Sequence, residues 1–182
     1  MNASKSLNLL SIAHNYQELG RNVVILTPSI DDRYGVGKVT SRAGLSKEAL
    51  IITPQTSILD LILSLDSNKK IDCVLVDELH FYTVTQVEQL AELADEYDIT
   101  VMCFGLLVNF KGELFIASKR LIELADKLEE IKTLCCDCDN KATMILKYKD
   151  GVPVFDGEEI EVGGNDTYKS VCRKCWMKER RS

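Results

Sequence analysis

Three short runs, Val23-Val24-Ile25-Leu26-Thr27, Cys73-Val74-Leu75-Val76 and Thr100-Val101-Met102-Cys103-Phe104, are apolar at consecutive positions and rich in β-branched residues. A strand with one wet face alternates polar and apolar residues. A strand with no wet face reads like these runs, which marks a parallel sheet covered on both sides. The segments between the runs have helical period instead. Residues 5–19 place Leu9, Ile12, Ala13, Tyr16 and Leu19 on one stripe and stop at Gly20, a helix-ending residue. Residues 56–66 carry Leu59, Ile62 and Leu63 behind the candidate caps Thr56 and Ser57. Thr85 and Glu88 suit a capping box for a helix that uses Val87, Leu90, Ala91 and Ala94. A further helix is predicted around 116–127, burying some or all of Leu121, Leu124, Ala125 and Leu128. Strands alternating with helices give an α/β fold, a parallel sheet flanked by helices. The polar, glycine-containing stretch 31–47 is expected to be a mobile loop beside a ligand site.

After about residue 134 the rhythm changes to short strands, turn signals such as Lys149-Asp150-Gly151 and Gly163-Gly164-Asn165-Asp166, and two cysteine pairs. Of seven cysteines, five lie in this last third, and an odd number so crowded suits metal binding in a reducing compartment better than a disulfide framework. Cys135-x2-Cys138 and Cys172-x2-Cys175 are two knuckles whose four thiolates can close a tetrahedral structural zinc site. Cys136, inside the first knuckle, is an alternative ligand or a spectator. Cys73 and Cys103 fall in strands and read as small buried apolar residues. At 182 residues the chain is expected to divide into a main domain, 1–134, and a small zinc-binding lobe, 135–182.

Two further motifs carry phosphate chemistry. Lys5-Ser6 opens directly into the first helix, like the second half of the P-loop pattern G-x-x-x-x-G-K-[ST]. A helix N-terminus offers backbone N–H groups to phosphate oxygens, the Lys reaches the β- and γ-phosphates and the hydroxyl serves Mg²⁺. Ser4 stands where the second glycine of that pattern belongs, at a cost if φ is positive there. The alternative for Lys5-Ser6 is a solvated helix cap. The strand Cys73–Val76 ends in Asp77-Glu78, the form of a Walker B strand, in which Asp77 can hold Mg²⁺ and Glu78 can take a proton from an attacking hydroxyl. Alone, these are equally two solvated carboxylates at a strand end. Together, in this order along the chain, the motifs favour a P-loop NTPase-like kinase.

Composition narrows the partners. Lys and Arg number 22 and Asp and Glu 28, a net charge of −6, which argues against a broad electrostatic footprint on nucleic acid or anionic lipid. The apolar runs are far shorter than the ~18 residues that a membrane helix needs, and MNASKS does not open like a signal peptide. A soluble, cytoplasmic protein without a membrane or nucleic-acid partner is expected.

The segments MNASKS, IDDRYGVGKVTSRAGL, VLVDELHF, FGLLVNFKGELF, SKRLIELADKLEEIKTLC and VGGNDTYKSVCRKC, in this order and spacing, resemble the type II thymidine kinases, the zinc-containing P-loop class. The resemblance covers essentially the whole chain. It implies transfer of the γ-phosphoryl group of ATP to the 5′-hydroxyl of thymidine, giving dTMP for nucleotide salvage and DNA synthesis. It places Met1, Asn2, Ala3, Ser4, Lys5 and Ser6 in the phosphate loop, with Met1 also at a pocket-lining position. Arg33, supported by Asp31, comes near the phosphates, Asp77 binds Mg²⁺ with ATP, and Glu78 is the base, with Leu79 and His80 beside it. Phe110 matches the aromatic that contacts thymine, and Phe81, Leu106 and Phe115 match other pocket positions. Glu159, Ile160, Glu161, Val162 and Gly163 match a lasso-like loop closing over thymidine, with backbone groups near Val162 and Gly163 on the base edge and the Tyr168 hydroxyl reaching the sugar or a nearby polar group. Cys135, Cys138, Cys172 and Cys175 match the zinc ligands, and stapling that loop to zinc spares its ordering entropy at each binding event. The resemblance further implies a homotetramer and feedback inhibition by dTTP.

The chain departs from the family pattern at Ser4, at Leu107 and Asn109, where a basic and an acidic residue are expected, and at His80, in place of the usual Gln. The family also places a strand before the position of Met1, so the chain is expected to be short at its front by ~5–10 residues. A nucleoside- or nucleotide-binding homologue with a degenerate P-loop is the alternative reading. A zinc-ribbon nucleic-acid binder, resting on Arg173, Lys174, Lys178, Arg180 and Arg181, is disfavoured by the overall charge.

Overall fold

Four strands, β1 (Val23–Pro28), β4 (Leu50–Ile52), β5 (Cys73–Val76) and β6 (Thr100–Cys103), pair in parallel in the order β4-β1-β5-β6. The computed structural model describes residues 4–31, 35, 37–65, 69–157 and 167–181. Helices α1 (Lys5–Glu18), α2 (Ile58–Ser64), α3 (Val84–Tyr97) and α4 (Ile116–Leu124) accompany the sheet. Alternate residues of β5 explain its uninterrupted apolar run. Cys73 and Leu75 pack with Leu9, Leu10 and Ala13 of α1, whereas Val74 and Val76 pack with Ile58, Ile62, Val87, Leu90 and Leu93 of α2 and α3. Each such side chain, once fully buried, contributes ~1.5–3 kcal/mol. The expected parallel sheet flanked by helices is thus present. The Cys73 thiol sits in this core and burial pushes it up to about 11, while burial pushes Cys103 up to about 12, so neither behaves as a reactive thiolate.

Three local expectations need correction. Helix α3 starts two residues before the expected box at Thr85 and Glu88: the Thr83 hydroxyl accepts from the Gln86 N–H at 3.2 Å, and the Gln86 carboxamide oxygen accepts from the Thr83 N–H at 3.0 Å. Glu88 instead pairs with Arg120 of α4 at 2.9 Å. Leu19 lies outside the buried stripe of α1 and is 77% exposed. The stretch 31–47 contains most of an antiparallel hairpin, β2 (Lys38–Thr40) with β3 (Ser46–Glu48), rather than only loop.

The described residues form two compact units. One runs over 4–105 and 116–128, and holds the sheet above; the other comprises Leu106–Phe115 and the chain from Glu129 onward. In the second unit β7 (Met144–Lys149) is the centre of a three-stranded antiparallel sheet between β8 (Val152–Val154) and β9 (Tyr168–Val171). Asp150 and Gly151, with φ of 51° and 77°, make the two-residue turn joining β7 to β8, the left-handed pair that matches strand twist. Leu146, Val171 and Trp176 form the small core with Cys135 and Cys172. Trp176 belongs to α5 (Arg173–Arg181), and its indole N–H is shared between the carbonyls of Phe110 and Ile145, each at 3.1 Å. Trp176 is therefore a packing residue, as its place beside Cys175 suggests. The basic cluster Lys178 to Arg181 continues this helix, with the Arg180 guanidinium 4.9 Å from the Trp176 ring.

Candidate active site and metal centre

The carboxyl end of β5 organises the first cluster. The β1–β5 register pairs Leu26 with Val76, so Thr27 and Asp77 follow side by side, and the Asp77 N–H donates to the Leu26 carbonyl at 2.9 Å. The chain then leaves the sheet through Glu78 in the left-handed region, φ 44° and ψ 45°, before a 3₁₀ turn at Leu79–Phe81. A non-glycine residue pays to adopt that conformation, and strain of this kind gathers where a side chain must be aimed. Gly105 backs the turn: a Cβ there would lie 3.3 Å from the His80 nitrogen and 3.4 Å from that of Leu79, so no larger residue fits without movement.

Helix α1 brings the phosphate motif to the same place. Lys5 Nζ lies 3.7 Å from Glu78 Oε2, and His80 Nδ1 lies 3.6 Å from the same oxygen. Ser6 Oγ donates to Asp77 Oδ2 at 3.2 Å, and the Glu78 N–H donates to Asp77 Oδ1 at 3.0 Å. Burial, and then the neighbouring Glu78 carboxylate, push the Asp77 carboxyl up to about 6 against the pull of Lys5 and these hydrogen bonds. Ser4 takes the left-handed conformation, φ 53°, that the glycine of a P-loop adopts freely. Its side chain makes no capping bond and the first turn of α1 carries no carboxylate of its own; the acid beside that turn is Asp77, reached through Ser6. Lys5, Ser6, Asp77, Glu78 and His80, picked out from separate stretches of sequence, meet here. A hydroxyl and a carboxylate oxygen at hydrogen-bond distance suit a hard cation such as Mg²⁺.

A cleft beside Asp77 is lined by Ser6, Thr27, Asp31, Lys38, Val39 and Thr40. Sequence reasoning missed Thr27, Lys38 and Thr40. The signal for Thr27 is its place at the carboxyl end of a parallel strand, where ligands of open α/β sheets bind. Leu79 is 1% exposed and packs in the core with α3, and Phe81 is half-buried in the 3₁₀ turn. Met1, Asn2, Ala3 and Arg33, and Glu159, Ile160, Glu161, Val162 and Gly163, lie outside the described residues.

Leu106, Phe110, Phe115 and Tyr168 all belong to the second unit. Phe110 and Phe115 are buried, 2% and 6% exposed, while Leu106 and Tyr168 are half-buried. Asn109, one of the departures from the family pattern, has a local task. Its side-chain oxygen accepts the N–H groups of Lys111 and Glu113, both at 3.0 Å, and so shapes the turn that follows Phe110.

The metal centre is compact. The sulfurs of Cys135, Cys138, Cys172 and Cys175 all lie within 4.8 Å of one another. Cys138 Sγ is 3.6 Å from Cys172 Sγ and 3.7 Å from Cys175 Sγ, close to the ~3.8 Å edge of a tetrahedron built on ~2.3 Å Zn–S bonds. N–H groups of Asp137, Cys175 and Asn140 point at the sulfurs of Cys135, Cys172 and Cys138 at 3.4, 3.5 and 3.4 Å, the outer bonds that thiolate charge requires. Four sulfurs so placed can hold a metal ion, and zinc is compatible with them. Cys136 is exposed and outside the group.

The chain is similar to known proteins over nearly its whole length. The family model described as thymidine kinase matches residues 1–176. A thymidine kinase of Streptococcus gordonii is 49% identical over 178 residues, 98% of this chain and 92% of the relative. One from Lactococcus lactis subsp. lactis is 47% identical, over 98% of this chain and 93% of the relative. One from Photorhabdus laumondii subsp. laumondii is 46% identical, over 97% and 88%.

Proposed function

The chain belongs to the thymidine kinase family, and from that premise we propose that it transfers the γ-phosphoryl group of ATP to the 5′-hydroxyl of thymidine, with Glu78 as the general base. The observation that carries this is the meeting of Lys5, Ser6, Asp77 and Glu78 at the carboxyl end of β5. Phosphoryl transfer asks a protein for positioning and for charge complementarity more than for covalent chemistry. Lys5 sits at the N-terminus of α1, where its ammonium and the helix dipole together attract phosphate oxygens. Glu78 is held by strained backbone beside Lys5 and His80, a carboxylate that can accept the 5′-hydroxyl proton as the new P–O bond forms. Asp77 and Ser6 would hold the Mg²⁺ that accompanies ATP, which neutralises phosphate charge when bound. Met1, Asn2, Ala3 and Ser4 complete the phosphate loop, Arg33 adds a second cation, and Leu79 and His80 shape its wall.

On the nucleoside side, the resemblance assigns Phe81, Leu106, Phe110 and Phe115 each to contact with thymine. The loop of Glu159 to Gly163 covers the base through its backbone, and Tyr168 reaches the sugar. The four cysteines hold zinc as a structural ion. Residues 1–134 make the kinase domain and 135–182 the zinc lobe. The resemblance that supports these roles also supports a cytoplasmic homotetramer inhibited by dTTP. No helix among the described residues is long and apolar enough to cross a membrane. Incubation of the metal-loaded chain with MgATP and thymidine is expected to yield dTMP and ADP one for one by chromatography. Thymidine binding without product would favour the binding-only reading.

The raised Asp77 carboxyl gives a pH signature. A proton and Mg²⁺ compete for the same oxygens, so Mg²⁺ affinity should weaken about tenfold per pH unit below about 6 and level off above it. Titration of the nucleotide-free protein with Mg²⁺ between pH 5 and 8 measures this; a flat profile would remove Asp77 from the metal site. Stability runs the opposite way. Because the folded value lies above the ordinary 3.8, the contribution of protonated Asp77 is fully present below that value and is lost as pH rises through about 6.

A further inference from the structure

We infer that Lys147 is a positioning residue for the nucleoside base, acting through Phe110. Lys147 lies on β7, the central strand of its sheet, directly across from Val154 on one side and Tyr168 on the other. Only 6% of it is exposed, and its ammonium sits 4.8 Å from the centroid of the Phe110 ring. The Lys111 ammonium is farther off, at 5.8 Å.

A second bond fixes the Phe110 main chain. Its carbonyl accepts the Trp176 indole N–H, which is shared with Ile145, and Ile145 projects from the same face of β7 as Lys147. The Phe110 backbone is thus held by Trp176 of α5, while its ring faces Lys147 of β7. For packing alone a methionine would serve at this position and would escape the desolvation cost of a buried ammonium. The charge adds attraction to the face of the Phe110 ring, strongest where water is excluded. Lys147 thus joins two residues assigned to thymidine, Phe110 by contact and Tyr168 by strand pairing. This rests on the roles proposed above for those two residues.

The test compares Lys147→Met, which keeps the stem and removes the charge, with Lys147→Arg, which keeps the charge, in the full metal-loaded chain. In Lys147→Met the KM for thymidine is expected to rise about tenfold, with kcat and the KM for ATP within about twofold of wild type. Lys147→Arg should return the thymidine KM to within about threefold of wild type, and bound metal should be unchanged in both. An unchanged thymidine KM in Lys147→Met would overturn the inference, as would an arginine variant as impaired as the methionine one. Loss of metal together with a rise in both KM values would also overturn it, by making Lys147 a residue of the lobe's fold alone. A wild type that binds thymidine without phosphorylating it would overturn the kinase reading while leaving Lys147 testable by thymidine calorimetry. There the same rise in Kd is expected for Lys147→Met, and an unchanged Kd would overturn the inference.

Discussion

Replacing Glu78 with glutamine should lower kcat by about 10²–10⁴-fold, the range that a positioned general base contributes, while KM for thymidine and for ATP changes by no more than about threefold. Glutamine keeps the shape of the side chain and removes its charge and its ability to take the proton. The fold should tolerate the change. Glu78 is crowded by a second carboxylate, Asp77, whose own pKa it helps to raise, so removing one of the two charges relieves repulsion even as the ion pair to Lys5 is lost. An unaltered or slightly higher melting temperature is therefore expected alongside the collapse in kcat. Steady-state kinetics of Glu78→Gln with both substrates varied, together with a thermal melt, measures both. A kcat within threefold of wild type would move the base elsewhere, with His80, whose ring nitrogen faces the same carboxylate oxygen, the next residue to replace.

The second large effect belongs to the cysteines. The Cys138 sulfur lies 3.6 Å from that of Cys172 and 3.7 Å from that of Cys175. Cys138→Ser should release the metal and unfold the unit that contains residues 129–181. That unit has a core of only a few large side chains, and structural zinc supplies ~10–16 kcal/mol of apparent binding energy in small domains of this kind. Thymidine binding should be lost, because Tyr168, proposed above to reach the sugar, belongs to that unit, while the sheet of the other unit, with its own core on both faces, stays folded. Metal content by atomic absorption, circular dichroism and thymidine calorimetry report the three parts separately. A variant that lost its metal yet bound thymidine as tightly as wild type would show that the staple is not needed for the nucleoside. Cys136→Ser, by contrast, should leave metal content unchanged.

The sheet was legible because β5 is buried on both sides. Val74 and Val76 face one helix layer, Cys73 and Leu75 the other, and the run shows no polar position. The start of α3 was not legible. Thr83-x-x-Gln86 and Thr85-x-x-Glu88 carry the same local signal, and a long-range contact decides between them. The Gln86 carboxamide donates to the carbonyls of Thr53 and Thr56 at 2.8 and 2.9 Å, which only the tertiary fold can bring to it. Helix α5 was missed for a related reason. Its sequence, RKCWMKERR, has no apolar stripe beyond Trp176 and is held instead by the knuckle cysteines and that one buried indole. The hairpin β2–β3 has strands of three residues, too short to alternate convincingly.

Within the site, Lys5, Ser6, Asp77 and Glu78 could be found because each stands in a short motif whose chemistry needs that residue type. Thr27, Lys38 and Thr40 line the same cleft without any motif, since strand register and hairpin placement bring them there. Lys147 is the clearest case. In sequence it is one lysine of KYK; only its burial against Phe110 sets it apart.

The site is proposed to move a phosphoryl group from ATP to the 5′-oxygen of thymidine. Phosphorus NMR of the product made from thymidine and MgATP tests it most directly. A single phosphomonoester resonance coupled to the two 5′-methylene protons, growing in step with ADP in wild type and suppressed in Glu78→Gln, is the predicted result. ATP hydrolysis to free phosphate with no such resonance, or an ester coupled to the 3′-proton, would contradict it.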